Sequence, residues 1–321
     1  MTAVVLAEPL TPEWHEARRH GIGASEIAAV LGISPWESPF SLYWRKVNGW
    51  QVESSDEMRT GTILEPAIAN WAADQIDPNE NVIVAAYGLV AHPNRPWQLA
   101  TPDRVVGWRN NCGPCDLGLP FPCSCDQLHP NSPLLAVLEC KWTGAWHGWG
   151  DDGTDQIPVH YRAQVQWQCD VLDVADWYLA VLGPSGFRLY RGRRDERDLS
   201  VMREHGRRFV ARLEAGNPPP IDDHQATLAV VRQLHPVLVD ETAEVAPSVA
   251  AGYLRAAAMK RKAEALKDRY EALLRAEMGD ARRATVDGRH VVTRIVTDVA
   301  ESTRTVAAHR RDYLLPTRST K

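Results

Sequence analysis

The sequence predicts an α/β fold over residues 1–221, followed by a C-terminal extension at 222–321 built from a helix and a β-hairpin. Three observations carry this. Between residues 24 and 192, segments of helical period alternate with short apolar runs bounded by Gly, Pro and Asn. The stretch GNPPP at 216–220 is the clearest break in the chain. Beyond it, residues 249–278 form an unbroken segment rich in Ala, Leu, Lys and Glu, stopped by Gly279.

The elements follow in order. Pro9 and Pro12 precede WHEARRHGIGASEIAAVLG, read as a loop at 18–23 and a short helix from Ala24 to Leu31 with Ser25 and Glu26 in its first turn. Ser34-Pro35 and Ser38-Pro39 interrupt it, and FSLYWRKVNG is a second helix stopped at Gly49. In GTILEPAIANWAADQI, Ile63, Leu64, Ala67, Ile68, Trp71 and Ile76 recur near helical spacing, which predicts a helix over Leu64 to Gln75. Strands are expected at Val82 to Val90, Gln98 to Thr101 and Arg104 to Trp108. Residues 109–133, rich in Cys, Pro and Asn without periodicity, read as an insertion. A strand at 134–141 comes next, then a loop rich in Trp and Gly to Ile157. IPVHYRAQVQWQCDVLD is a helix with Pro158 in its first turn. DWYLAVLG and GFRLYR are strands joined around residues 183–186. After the long helix, ATVDGRHVVTRIV predicts a hairpin over 284–297 that turns at Asp287-Gly288.

Length and composition bound the class. A chain of 321 residues makes one large domain or two ordinary ones, and 44% hydrophobic with 24% charged residues is a soluble, globular composition. No cationic segment leads into an apolar run and no stretch reaches membrane-spanning length, so a cytosolic protein is expected. The net charge of −5 is uneven. From residue 250 onward Lys and Arg outnumber Asp and Glu, so residues 1–249 are more acidic than the whole. A general nucleic-acid coat is thereby excluded, and any DNA contact must be local.

The chemistry concentrates in LLAVLECKWTG at 134–144. Five apolar residues read as a buried strand, yet Glu139 and Lys141 follow on one face of it, since strand side chains alternate with period two. A solvated ion pair at a strand end is the plain reading. The sharper one adds a second carboxylate, Asp103, in QLATPDRVV. Two carboxylates and a lysine suit phosphodiester hydrolysis, where carboxylate-held divalent metals stabilise charge and activate water. On the helix at 158–173, Tyr161, Gln164 and Gln168 share a face at i, i+3 and i+7.

These pieces resemble a known family. WHEARRHGIGASE, GTILEP, ATPDRVV, LECK and HYRAQVQWQ stand in the order seen in lambda-exonuclease-type, or YqaJ-type, viral recombinases of the PD-(D/E)xK nuclease superfamily. The likeness covers roughly residues 14–215. It implies a restriction-endonuclease-like core, a central mixed sheet flanked by helices, and a Mg²⁺-dependent 5′→3′ double-strand DNA exonuclease in phage-type recombination. By the same resemblance, Asp103, Glu139 and the Cys140 backbone carbonyl would hold two Mg²⁺ (or Mn²⁺) ions. Lys141 would position the attacking water, Glu65 would complete the acidic cluster, and Gln164 matches an active-site glutamine. Arg18 and Ser25 match a pocket for a terminal 5′-phosphate, with Arg19 as a neighbouring competitor and Tyr161 beside the DNA. The implied partners are double-stranded DNA ends, a single-strand annealing protein and further copies of the chain in a trimer. The implied setting is a phage or prophage protein in the bacterial cytoplasm.

Two features depart from the family pattern. The insertion separates Asp103 from the strand at 134–141 and carries Cys112, Cys115, Cys123 and Cys125, spaced C-x2-C-x7-C-x-C. Four thiolates suit a structural Zn²⁺, with His129 able to replace one; a reduced metal-free loop is the alternative. The extension beyond 222 is compatible with a coiled coil, an arm on the DNA backbone, or packing on the body. Trp142, Trp146 and Trp149 either stack on terminal bases or pack against the body. A RecB-like iron–sulfur nuclease and a non-catalytic DNA-binding scaffold are the competing readings. The first is disfavoured because all four clustered cysteines lie between the two carboxylates, the second by the intact Glu65, Asp103, Glu139 and Lys141.

Overall fold

The computed structural model describes residues 4–9, 11–51, 54–77, 82–108 and 133–297. The cysteine cluster at Cys112, Cys115, Cys123 and Cys125 lies outside them. In chain order the elements are β1 (Val4–Ala7), α1 (Pro12–His20), α2 (Ile27–Val30), α3 (Pro39–Asn48), α4 (Asp56–Ile76), β2 (Val82–Ala85), β3 (Leu89–His92), β4 (Arg95–Ala100) and β5 (Arg104–Trp108). There follow β6 (Leu134–Trp142), α5 (Val159–Leu172), β7 (Asp176–Gly183), β8 (Gly186–Arg193), α6 (Glu196–Glu214), α7 (Gln225–Leu234), α8 (Pro247–Met278), β9 (Arg283–Val286) and β10 (Arg289–Thr293).

The central sheet runs β2-β5-β6-β7-β8 and is mixed: β6 and β7 are parallel, and the other neighbours antiparallel. A parallel pair needs a crossover, which α5 provides. Period two along β6 then decides the layers. Ala136, Leu138 and Cys140 pack with Ile68, Ala69 and Ala72 of α4. Val137 packs in the larger cluster with Ala163, Val165 and Trp167 of α5. Each fully buried Leu, Ile or Val here contributes on the order of 1.5–3 kcal/mol relative to exposure. Glu139 and Lys141 fall in the Val137 register, so the same alternation that builds the core turns them toward α5. A smaller antiparallel sheet, β1-β3-β4, also carries an isolated parallel bridge from Gln98 of β4 to Ile22, in the segment after α1.

Several boundaries differ from expectation. Residues 18–20 belong to α1, because Thr11 caps that helix by accepting from the Trp14 N–H and Pro12 fits its first turn. Helix α2 is confined to Ile27–Val30, with Ser25 and Glu26 in the turn before it. Helix α4 begins at Asp56 rather than Leu64, since Ser55 accepts from the Met58 N–H and Asp56 and Glu57 favour the first turn. The strand expected over 82–90 is two strands in different sheets, β2 on β5 and β3 on β1 and β4. Residues 196–214, given no element above, form α6, capped by Asp195 and burying Leu199, Met202, Phe209 and Val210.

The chain divides into units at Leu234/His235, so α7, which lies beyond the proline-rich stretch, belongs to the first. Its Thr227 hydroxyl shares a 2.6 Å hydrogen bond with that of Ser38 at the start of α3. In the second unit, α8 ends at Gly279 and β9 and β10 turn at Asp287 and Gly288, both at positive φ as a tight hairpin requires. Among the described residues no helix is long and apolar enough to cross a membrane.

Candidate active site

Glu139 is 2% exposed, a carboxylate inside the sheet–helix interface. Such a burial is costly unless donors surround the charge. Gln168 donates its amide to Oε2 at 2.7 Å, and both Gln164 and Lys141 donate to Oε1. The two glutamines are one turn apart on α5, whose position is fixed from beneath. The Trp167 indole N–H donates to the carbonyls of Leu99 at 3.1 Å and Ile22 at 3.3 Å.

Asp103 lies in the short junction between β4 and β5. Its Oδ2 accepts from the Cys140 N–H at 2.7 Å, which fastens it beside Glu139. Burial and the Glu139 charge push its carboxyl up to about 7, against the pull of Lys141 and the Cys140 N–H. Lys141 is held charged: burial works to lower its pKa, but Glu139 and Asp103 outweigh it and leave it well above an ordinary lysine. Glu65, on α4, pairs with Arg104 at 2.8 Å, and Arg104 also donates to the Asp103 carbonyl. Glu65 adds to the repulsion on Asp103. The Tyr161 ring lies 5.7 Å from Lys141 Nζ and stacks on Trp149 at 5.4 Å.

Among the described residues no three or more His, Cys, Asp and Glu side chains gather as a metal-holding group. What the arrangement offers is two hard carboxylates, one of them pushed toward protonation by burial and by the charge of the other. A divalent cation relieves that repulsion, and Mg²⁺ needs few protein ligands because it keeps its waters. The donor set therefore fits such an ion.

Arg18 and Ser25 meet in a separate cavity of about 780 Å³, lined also by Arg19, Glu26, Arg45 and Lys46. Arg18 Nη2 donates to Ser25 Oγ at 3.1 Å, and its guanidinium sits 4.3 Å from the Trp14 ring centre. A Cβ on Gly23 would stand 3.1 Å from Arg18 Nη2, so the glycine leaves the guanidinium its place. Arg19 pairs instead with Glu16 at 3.4 Å. Ser25 does not open a helix: α2 starts two residues later and spans four residues. The cavity's organiser is Glu26, 2% exposed, which accepts from Lys46 at 2.8 Å, Arg45 at 2.9 Å and the Gly23 N–H at 2.8 Å. Sequence reasoning missed Glu26, Arg45 and Lys46 because their pairing links α3 to the turn before α2. It also gave Gln168 no role, although its spacing from Gln164 was visible.

The tryptophans at 142–149 are engaged with the body. Trp142 donates to the Glu57 carbonyl at 3.0 Å, and Trp146 donates to Ser185 at 2.9 Å under the Arg188 guanidinium. Trp149 lies 5.4 Å from the rings of both Tyr161 and Tyr190.

The protein YqaJ of Bacillus subtilis (strain 168) is 28% identical over 182 residues, 56% of this chain and 44% of that protein, so the match spans less than half of the relative. The alkaline exonuclease LHK-Exo from Laribacter hongkongensis, whose structure is also solved in complex with dAMP, is 20% identical. It covers 71% of this chain and 100% of its own, with TM-scores of 0.47 with dAMP and 0.46 without. The model of the YqaJ-like viral recombinase domain matches residues 13–175, which hold Arg18, Ser25, Glu65, Asp103, Glu139, Lys141, Tyr161 and Gln164. That match spans just over half of the sequence, and the chain belongs to the YqaJ-like viral recombinase family.

Proposed function

We propose that the chain is a Mg²⁺- or Mn²⁺-dependent deoxyribonuclease that degrades double-stranded DNA ends 5′→3′. The observation that carries this is a buried Glu139 held by Gln164, Gln168 and Lys141, with Asp103 fastened beside it and pushed to about 7. Asp103 and Glu139 would hold two metal ions. In an extended strand a residue's N–H and C=O face the same edge, so the Cys140 carbonyl faces the edge that Asp103 occupies and can join them. When bound, the ions supply charge stabilisation for the phosphoryl oxygens and acidify a bound water.

The chain's own groups do the rest. Gln164 and Gln168 fix the orientation of Glu139, and Lys141, one donor of which goes to Glu139, orients the attacking water through the others. Arg104 holds Glu65 beside the acidic cluster, which it would complete through the water shell of bound metals. Arg18 and Ser25 receive the terminal 5′-phosphate, a guanidinium being suited to two-point contact with it. Resection from such ends leaves 3′ single strands for an annealing protein in phage-type recombination in the bacterial cytoplasm. A trimeric ring around the duplex would keep the enzyme on its substrate. The insertion at 109–133 would be stapled by a structural Zn²⁺.

The test is hydrolysis of end-labelled linear duplex with Mg²⁺ and then with EDTA. Turnover should require the metal, and Glu139→Ala or Asp103→Ala should abolish it with DNA binding largely retained, since backbone contacts remain. Near-normal turnover in Glu139→Ala would overturn the mechanism.

A further inference from the structure

We propose that Trp36 is a stacking platform for an unpaired nucleobase at the mouth of the active site. The inference rests on the nuclease reading above. Trp36 is 64% exposed, yet its backbone is pinned on both sides. The Ser34 hydroxyl accepts from the N–H groups of Trp36 and Glu37, both at 3.2 Å. The Glu37 carboxylate is gripped by Arg45 at 2.7 and 3.0 Å, and Ser38 caps α3. What sets Trp36 apart from other exposed apolar side chains is its place beside the candidate active site, on an ordered loop, where a large rigid ring is open to a partner from solution.

What lies beneath the ring identifies the partner's chemistry. The Trp36 indole meets His160 edge-on at 4.9 Å and lies 6.0 Å from the Tyr161 ring. Tyr161 in turn lies 5.7 Å from Lys141 Nζ, which pairs with Glu139. The exposed indole is thus joined to the acidic cluster by adjoining side chains of the same site. The surface is aromatic rather than cationic. Burial and Lys141 pull the His160 ring below an ordinary histidine value, and Lys141 pairs with Glu139. An uncharged π-face suits the flat face of a base, not a phosphate. Every base has such a face, so the contact tolerates any sequence, as an enzyme that consumes DNA ends requires. It also supplies what Trp142, Trp146 and Trp149, engaged with the body, do not.

The test uses the full chain carrying Glu139→Gln, which blocks cutting, and duplex DNA with 2-aminopurine as the frayed terminal base. Binding should change the 2-aminopurine fluorescence. Trp36→Ala in the same background should remove that change and weaken binding on the order of 5- to 150-fold, and Trp36→Phe should restore most of both. Unaltered fluorescence and affinity in Trp36→Ala would overturn the proposal. So would an affinity loss with the fluorescence change intact, which would mean that Trp36 only packs on His160 and Tyr161. Hydrolysis by the chain with native Glu139 is read separately: its absence sinks the nuclease reading, while the fluorescence still reports on the base contact.

Discussion

The Gln168 amide donates to Glu139 Oε2 at 2.7 Å, while its own Oε1 is buried without a hydrogen-bond partner among the described residues. Gln168 thus directs its amide at Glu139. Gln168→Leu removes one charge-assisted bond, about 1.5–3 kcal/mol, but also removes the unpaired carbonyl. Stability should fall by only about 1–2 kcal/mol in urea unfolding, below the gross value of the bond. Hydrolysis should fall more steeply, roughly 10- to 100-fold in single turnover, because small misplacement of a reacting group is expensive. A variant that loses stability and keeps its rate would remove Gln168 from the mechanism.

The second prediction concerns the DNA end. Arg18 is set between Ser25, Glu26 and the Trp14 face, whereas Arg19 turns to Glu16. Duplex with a 5′-phosphate should be degraded faster than 5′-hydroxyl duplex, and Arg18→Ala should erase most of the difference. Gly23→Ala should reduce it too, since the added methyl, 3.1 Å from Arg18 Nη2, must shift the guanidinium slightly out of its place. Equal rates on both ends in the parent protein would remove the pocket, and an unchanged preference in Arg18→Ala would transfer the role to Arg19.

What was legible in the sequence was what one element carries by itself. Glu139 and Lys141 share a strand face, and Gln164 and Gln168 share a helix face, so their convergence needed only the crossover between β6 and β7. The hairpin at Asp287-Gly288 and the stop at Gly279 were equally local. Long-range pairings were not legible. Glu26 gives no sign in its own neighbourhood that Lys46 and Arg45 will meet it, and the apolar run at 82–90 does not reveal that its halves join different sheets. Helix α6 is a different case. Leu199, Met202, Gly206, Phe209 and Val210 carry a helical period and Asp195 a cap, but the charged residues around them mask both.

The third prediction falls on the insertion. Cys112, Cys115, Cys123 and Cys125 are proposed as a donor set for tetrahedral Zn²⁺, while Cys140 and Cys169 are buried thiols within the core. Elemental analysis of reduced protein should give about one zinc per chain. Cys112→Ser should lower that content and expose the insertion to protease before it affects hydrolysis. Iron with visible absorbance would instead mean an iron–sulfur centre, and protein free of both metals would end the idea.

The last prediction concerns acid. Glu26 is buried against Lys46, itself 3% exposed, with Arg45 at 2.9 Å and Arg18 at 3.2 Å. Burial alone would raise its pKa, but the three cations outweigh burial and hold the carboxyl far below its ordinary 4.5. A carboxylate depressed in the folded state binds fewer protons there than in the unfolded chain. Its contribution is thus complete above the ordinary value and disappears as pH falls through the folded one. Urea unfolding of the parent should change little between about pH 7 and 5 on this account, then weaken progressively below about 4.5. Glu26→Gln should cost about 3–5 kcal/mol at neutral pH, because it strands Lys46 as a buried charge without its anion. The gap between parent and variant should narrow below about 4.5, as the unfolded parent takes up a proton at Glu26 that the folded one does not. Two unfolding curves that stay parallel down to about pH 3 would show that Glu26 is not the group that ties α3 to the Arg18 cavity.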